Sequence, residues 1–293
     1  MRTTSYAPAV TVLEVIQRGA EFLTKKGVES PRLQVELLLA HVLKLPRMQL
    51  YLNFERSLDE SQIATVREMV ARRGQREPLQ HIVGIAPFCG YEFRVNRHVL
   101  VPRPETELLA ERAFEFLART TASPATVLDF GTGSGCLAIA IAAKFPAAQV
   151  HAVDVSPEAL DVARENAAQA KVSIQFHQGD GFTSIPGGLR FDLIVSNPPY
   201  IPSAEIASLD PEVRDFDPRL ALDGGPDGLE FYRKLAVWAR EHLESGGRLM
   251  MEFGDGQAPA IESLLLEHKW IVEAVVPDYS ERHRLMIAGL GRD

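Results

Sequence analysis

Asn197-Pro198-Pro199-Tyr200 is the stretch whose residue types best support chemistry. It follows Phe191-Asp192-Leu193-Ile194-Val195-Ser196, an apolar run rich in β-branched residues that reads as a buried strand, so the tetrapeptide stands where a strand ends. Open α/β sheets bind their ligands at that edge. A proline holds φ, lacks an N–H and pushes the residue before it into extended geometry, so Asn197 and Pro198 are both held extended with their carbonyls aimed by covalent constraint. With the ring of Tyr200 they form a clamp for a planar NH2 group, of a carboxamide or of an exocyclic base amine. A strand-terminating turn that binds nothing would use the same residues, and the upstream sequence separates the two readings.

Thr126-Val127-Leu128-Asp129-Phe130 reads as a strand that runs into Gly131-Thr132-Gly133-Ser134-Gly135 and then an apolar helix. A glycine-rich turn at that point lets backbone N–H groups and the helix N-terminus approach a ligand closely. Dinucleotide sites use the spacing G-x-G-x-x-G, whereas here the third glycine comes one residue earlier. The compressed spacing favours a ligand without a pyrophosphate, and in S-adenosylmethionine enzymes such a loop wraps the amino-acid and ribose portion. Asp154 ends the second strand about twenty residues later, where a carboxylate accepts hydrogen bonds from both ribose hydroxyls. It also precedes Ser156-Pro157 and is a candidate cap for the next helix. Asp180-Gly181-Phe182 follows the third strand, in place for Asp180 or the turn backbone to meet an adenine amino group and for Phe182 to offer a ring face; Asp180 serves equally as a turn cap. A glycine loop, an acid and a second acid on successive strand ends, followed by the Asn-Pro-Pro-Tyr end, describe the Rossmann-like α/β sheet of a class I S-adenosylmethionine-dependent methyltransferase.

The elements that position these residues follow in chain order. Stripes of apolar residues predict helices over 11–26, ended by Gly27, over 30–45, with Ser30 as cap and Pro31 in the first turn, and over 59–73, where Asp59 and Gln62 resemble a capping box. Extended pieces at 91–95 and 99–101, broken by Gly84, Pro87 and Gly90, predict a β-hairpin linker. From 126 onward strands (126–130, 149–153, 173–177, 191–196, 248–253) alternate with helices, and a closing strand pair (271–276, 284–288) follows. The expected division is a helical bundle at 1–77, a hairpin linker at 78–104 and a methyltransferase domain at 105–293.

A chain of 293 residues suits two domains. The formal net charge of −8 argues against general affinity for nucleic acid or anionic membranes, and the 12 Lys/Arg against 9 Asp/Glu in residues 1–80 are too even to imply DNA binding. Cys89 and Cys136 are the only cysteines, with no CxxC or His-rich spacing for zinc, so no metal is expected and a reduced, intracellular protein is. Met1-Arg2-Thr3-Thr4-Ser5 lacks the apolar core of a signal peptide, and runs such as 137–143 fall short of the ~20 residues of a membrane helix. The expected location is the cytoplasm.

Four strings, HVLVPRPETE (98–107), VLDFGTGSG (127–135), IVSNPPYIP (194–202) and VRDFDPRLALDGGPDGLEFYRKL (213–235), carry a closer likeness. The chain resembles the peptide chain release factor N5-glutamine methyltransferases of the PrmC/HemK type over nearly its whole length. Asn-Pro-Pro-Tyr alone also occurs in adenine-N6 DNA and RNA methyltransferases, the alternative reading; the segments beginning at Pro102 and Asp217 are more discriminating. The resemblance implies methyl transfer from S-adenosyl-L-methionine, leaving S-adenosyl-L-homocysteine, to the glutamine amide nitrogen of the Gly-Gly-Gln loop of class I release factors. It further implies that Gly131, Thr132, Gly133, Ser134, Gly135, Asp154, Asp180, Gly181, Phe182 and Asn197 hold the cofactor, and that Asn197, Pro198, Pro199 and Tyr200 hold the glutamine. Arg103, Glu105 and Thr106 would support the substrate pocket, and the N-terminal bundle would recognise the release factor, with no nucleic acid or membrane partner. Gly181 departs from members that place a tryptophan against the adenine, which leaves open which ring stacks there.

Overall fold

The structure, a computed structural model, describes residues 10–122 and 124–291. The opening Met1 to Ser5 and the side chain of Phe182 lie outside the described residues. The chain forms two compact units, Met1–Gly84 with Asp210–Phe216, and Ile85–Leu209 with Asp217–Asp293.

In the first unit, helix α1 (Val12–Lys25) starts at Thr11, whose hydroxyl accepts from the Glu14 N–H while the Glu14 carboxylate accepts from the Thr11 N–H at 2.9 Å. Helix α2 (Pro31–Leu43) begins at Pro31, but Ser30 lies in the left-handed region at φ 47° and its side chain caps nothing, so the proline alone marks that start. The short α3 (Arg47–Leu50) and α5 (Leu79–Val83) were not expected, because one turn is too brief to show a period; between them α4 (Glu60–Gly74) carries the Asp59–Gln62 capping box. Val12, Ile16 and Leu23 of α1 bury against Val35, Leu38 and Leu39 of α2 and Val66 of α4. The Asp210–Phe216 segment belongs to this unit through Glu212, which accepts from Arg73 at 2.7 Å and from both Nε and Nη2 of Arg76 at 2.7 and 2.6 Å.

The second unit opens with an antiparallel hairpin, β1 (Ile85–Phe88) and β2 (Tyr91–Arg94), turned by Cys89 and Gly90 at φ 48° and 80°. Pro87, expected as a breaker, sits inside β1 opposite Glu92, since a two-stranded ribbon has only edge strands and an edge tolerates the missing N–H. The 99–101 stretch forms no strand; Val99 and Val101 instead bury with Ala86, Val95, Ala159 and Val162.

Helix α6 (Thr106–Leu117) leads into the main sheet, in which β3 (Thr126–Phe130), α7 (Cys136–Lys144), β4 (Gln149–Asp154), α8 (Pro157–Ala170), β5 (Gln175–Gln178) and β6 (Phe191–Ser196) alternate. After α9 (Glu230–His242) come β7 (Leu243–Glu252), α10 (Ala258–Glu267), β8 (Trp270–Pro277) and β9 (His283–Leu290). The strand order is β5-β4-β3-β6-β7-β9-β8, parallel through β7 and antiparallel at β9 and β8. Strand β7 begins five residues before the expected 248, because Gly246 and Gly247 interrupt its apolar pattern. Alternate side chains serve opposite faces: Val127, Leu193 and Val195 pack with α6 and α7, while Leu128, Ile194 and Met251 pack with α9 and α10. Both faces are therefore covered, and ligands have access only at the strand ends.

His151 of β4 and His177 of β5 stack at 5.2 Å with Nδ1 and Nε2 2.9 Å apart, so a single shared proton suffices and neither ring gains from becoming a cation. Burial lowers both, His151 to about 4. Between that value and the ordinary 6.5 the unfolded-state imidazole binds more protons than the folded-state one, so the contribution of His151 to stability falls as pH falls through this window. Urea unfolding midpoints are expected to show the wild type changing, between pH 7 and pH 5, by on the order of 2 kcal/mol less favourably than His151→Phe, whose other groups titrate alike.

Candidate active site

The carboxyl ends of β3, β4 and β6 meet around one cavity, lined by Gly131, Gly133, Asp154, Asp180, Asn197 and Pro199 among others. Gly131, Gly133 and Gly135 take φ of 75°, 54° and 81°, a conformation that side chains disfavour by roughly 1–2 kcal/mol. A Cβ on Gly131 or Gly133 would meet nothing within 4 Å, so these two leave open space, whereas one on Gly135 would lie 3.1 Å from Ala163 of α8. The loop differs from the expected N–H cradle. The N–H groups of Gly131 and Thr132 donate to Val153 O, that of Gly133 to Asp154 Oδ2 at 2.8 Å, and that of Gly135 to Thr132 O. Such a loop suits an uncharged ribose or amino-acid moiety better than a phosphate, whose oxygens would need those donors.

Asp129 clamps the loop from below, its Oδ2 accepting from the Thr132 hydroxyl at 2.6 Å and the Ala138 N–H at 3.2 Å; burial raises it to about 7. Asp154 accepts from Gly133 and from the Ser156 N–H at 3.0 Å, and burial raises it. The cap of α8 is Ser156 itself, whose Oγ accepts from the Ala159 N–H, so Asp154 is not the helix cap. Each carboxylate oxygen keeps acceptor capacity toward the cavity. Behind the loop, buried Asn166 donates to Ser134 O and pairs with both backbone groups of Arg94, tying the hairpin to it.

The Asn197–Tyr200 loop is held by glycines that cannot be replaced in place. A Cβ on Gly224 would fall 2.9 Å from Pro199 O, and one on Gly228, at φ 76°, only 2.4 Å from Tyr200 O. The Ile201 N–H donates to Leu222 O and Ile201 O accepts from the Gly224 N–H across the Ile201–Asp223 bridge, and Gln257 Nε2 donates to Tyr200 O at 2.9 Å. Asn197 and Pro199 line the cavity. Pro198 is buried, and the Tyr200 ring lies against Gly254 with burial pushing its phenol up to about 12. Asn197 Nδ2 donates to Thr106 Oγ1 at 3.0 Å, and the Thr106 hydroxyl donates to Glu252 Oε2 at 2.7 Å.

The matching families are PrmC N-terminal domain over residues 14–84 and Methyltransferase small domain over residues 109–208. The release factor glutamine methyltransferase of Geobacter sulfurreducens is 47% identical over 86% of this chain and 87% of its own length. That of Chlorobaculum tepidum is 45% identical over 94% and 95%. The chain belongs to the release factor glutamine methyltransferase family. Among solved structures, the ribosomal protein L11 methylase of Lactobacillus delbrueckii subsp. bulgaricus is similar with a TM-score of 0.50 at 26% identity, covering 68% of this chain and 86% of that one. A 16S rRNA methyltransferase of T. thermophilus, in complex with AdoMet and guanosine, shares the fold with a TM-score of 0.50 at 20% identity, covering 71% of this chain and 50% of that one. The fold is that of class I S-adenosylmethionine-dependent methyltransferases, as expected.

Within this release factor glutamine methyltransferase fold, Arg103 and Thr106 line the cavity, Arg103 pairing with Asp217 at 2.6 Å, but Glu105 is exposed and caps nothing with its side chain. Thr106 is the first residue of α6 and is 2% exposed, held by side chains rather than acting as a cap. Asp180 is exposed at the rim, 3.5 Å from Lys234. Gly181 has a local cause: at φ 99° its Cβ would lie 2.6 Å from the Trp238 ring of α9, so tryptophan 238 already occupies that side-chain space. Phe231, one helix turn before Lys234, lines the cavity with Val155 and Leu220, two large apolar side chains left exposed there. Phe231 and Glu252 were missed in the sequence; an acid closing the apolar run Leu249-Met250-Met251 is the signal that marks Glu252.

Gly228→Ala is expected to lower the thermal unfolding midpoint well beyond Gly133→Ala. The latter bears only the φ cost of about 1–2 kcal/mol, while the former adds a clash with backbone that has no room to move.

Proposed function

We propose that the protein transfers the methyl group of S-adenosyl-L-methionine to the side-chain amide nitrogen, N5, of the glutamine in the Gly-Gly-Gln motif of class I peptide chain release factors, in the cytoplasm, with the N-terminal unit recognising the release factor. The observation that carries this reading is the Asn197 carboxamide, which lines the cavity beside the glycine loop with its nitrogen turned to Thr106 and its oxygen left to accept.

The residues fit the cofactor. Gly131 and Gly133 leave open space, Asp154 would supply two acceptor oxygens for ribose hydroxyls, and Asp180 with the backbone at Gly181 would hold the adenine amino group. Phe231 supplies the ring face that position 181 lacks, with Val155 and Leu220 as apolar neighbours. When bound, the cofactor supplies a methyl group on a cationic sulfur. The chain itself must make a poor nucleophile competent, because an amide nitrogen shares its lone pair with its carbonyl. Asn197 Oδ1 and the Pro198 carbonyl each accept one N–H of the glutamine amide, favouring a pyramidal nitrogen with its lone pair exposed. The prolines keep both acceptors in place without reorganisation, and positioning with aligned dipoles of this kind is worth several kcal/mol. A proton leaves after transfer, so no side chain is required to remove it first.

Labelled S-adenosylmethionine offered with release factor, with its Gln→Ala variant and with DNA is expected to label only the first; label in DNA and none in the protein would overturn the reading in favour of an adenine-N6 enzyme. Asn197→Ala is expected to lower kcat about a hundredfold or more with cofactor affinity nearly unchanged. Calorimetry should find Asp154→Ala weaker for cofactor by roughly 1.5–3 kcal/mol. Phe231→Ala should weaken it by about 1 kcal/mol, and a variant that binds like the parent removes Phe231 from the site.

A further inference from the structure

Glu252 closes β7 at the carboxyl edge of the sheet and is 4% exposed, directly after the apolar run Leu249-Met250-Met251. A buried carboxyl is costly unless it is bonded, and the bond it makes is to a hydroxyl that in turn contacts Asn197. The donor inventory gives the chain Glu252–Thr106–Asn197 a direction. An ionised carboxylate only accepts, so the single hydroxyl proton of Thr106 is committed to Glu252 Oε2. Thr106 Oγ1 can then only accept from its other neighbour, and the atom of Asn197 able to donate is Nδ2, found there at 3.0 Å. The amide is planar, so Oδ1 points away from Thr106.

We infer that Glu252 is a positioning residue of this enzyme, acting through the Thr106 hydroxyl to hold the Asn197 carboxamide with its oxygen rather than its nitrogen toward the acceptor amide. The inference rests on the proposed function for the identity of that acceptor, and on geometry alone for the relay.

Protonation reverses the direction. With the proton on Oε2, the oxygen that faces Thr106, Glu252 donates to Thr106 Oγ1, the threonine proton turns to Asn197, and the carboxamide flips to offer Oδ1 to it. Nδ2 then faces the cavity, where a donor meets the N–H groups of the glutamine. The charged and titratable groups facing Glu252 are Arg103 and Glu105 ahead of α6, Tyr200 of the acceptor loop, Tyr232 of α9, whose hydroxyl donates to Glu252 O at 2.8 Å, and Arg284 of β9. Burial is the largest influence on Glu252 and pushes it up to about 7, with Glu105 adding to the rise and Thr106, Arg284 and Arg103 opposing it. The active, ionised form is therefore lost as pH falls through about 7.

The side-chain amide signals of Asn197 in the 15N-labelled full chain, assigned by their absence in Asn197→Ala, are expected to shift between about pH 6 and pH 8 with a midpoint near that of Glu252, and to stay constant in Glu252→Gln. In turnover assays kcat should fall about tenfold per pH unit on the acid side, and Glu252→Gln, which has no proton to gain, should lose that limb whatever its plateau rate. Thr106→Val keeps the shape and removes the relay, so kcat should drop roughly a hundredfold with cofactor affinity within about twofold. A merely structural Glu252 would lower the melting temperature and leave the acid limb intact. An acid limb unchanged in Glu252→Gln, or wild-type Asn197 signals that ignore pH, would overturn the relay. A wild type that methylates no release factor but whose Asn197 signals titrate would sink the functional reading alone.

Discussion

Everything at the active edge depends on the register of three parallel strands. Pairing of β3 with β6 sets Asp129 opposite Val195, and pairing of β6 with β7 sets Ser196 opposite Met251. The residues that follow these pairs are thereby neighbours: the glycine loop after Phe130, Asn197 after Ser196 and Glu252 after Met251. The Ser196 hydroxyl donates to Phe130 O at 2.7 Å and pins the two strand ends together. A slip of one residue would exchange the buried faces of β6 and carry Asn197 out of reach of Thr106. The hydrophobic alternation of Leu193, Ile194 and Val195 between two cores forbids that slip, so packing far from the chemistry sets the geometry of the chemistry.

Around that edge the chain places rigid backbone against rigid backbone. Gly224 and Gly228 lie against the carbonyls of Pro199 and Tyr200, and Gly254 lies beneath the Tyr200 ring. The Gly-Gly-Pro-Asp-Gly segment is thus a brace for the acceptor loop, which explains why two glycine-rich segments so far apart in sequence belong to one site. Asp129, Asp154 and Glu252 serve different ends there. Asp129 holds the glycine loop through the Thr132 hydroxyl and Asp154 through the Gly133 N–H, while Glu252 makes no bond to that loop and reaches Asn197 through the Thr106 hydroxyl.

Much of this was legible in the chain. The β-branched run before Asn197, the compressed glycine spacing and Asp154 at a strand end each imply a position, since strand and helix periods are local and a proline or glycine restricts its own φ wherever it occurs. The elements that escaped notice were those whose cause is not local. Helices α3 and α5 are too short to show a period, Pro87 is tolerated only because its strand lies at an edge, and Ser30 caps nothing because its own φ is left-handed. Gly181 reads as a missing ring in the sequence, yet in space it makes room for Trp238.

The sequence by itself therefore determined the class of sheet and the strand-end places of the Asn197–Tyr200 loop, the glycine loop and Asp154, because those follow from covalent limits on φ, from missing N–H groups and from hydrophobic period. The tertiary structure alone decided which atoms face which. The hydrogen-bond direction from Glu252 through Thr106 to Asn197 joins residues 146 and 91 positions apart in the chain, and Phe231 reaches the cavity from a helix with no local tie to it. Donor and acceptor pairing across such distances is a property of packing, and no spacing within the sequence encodes it.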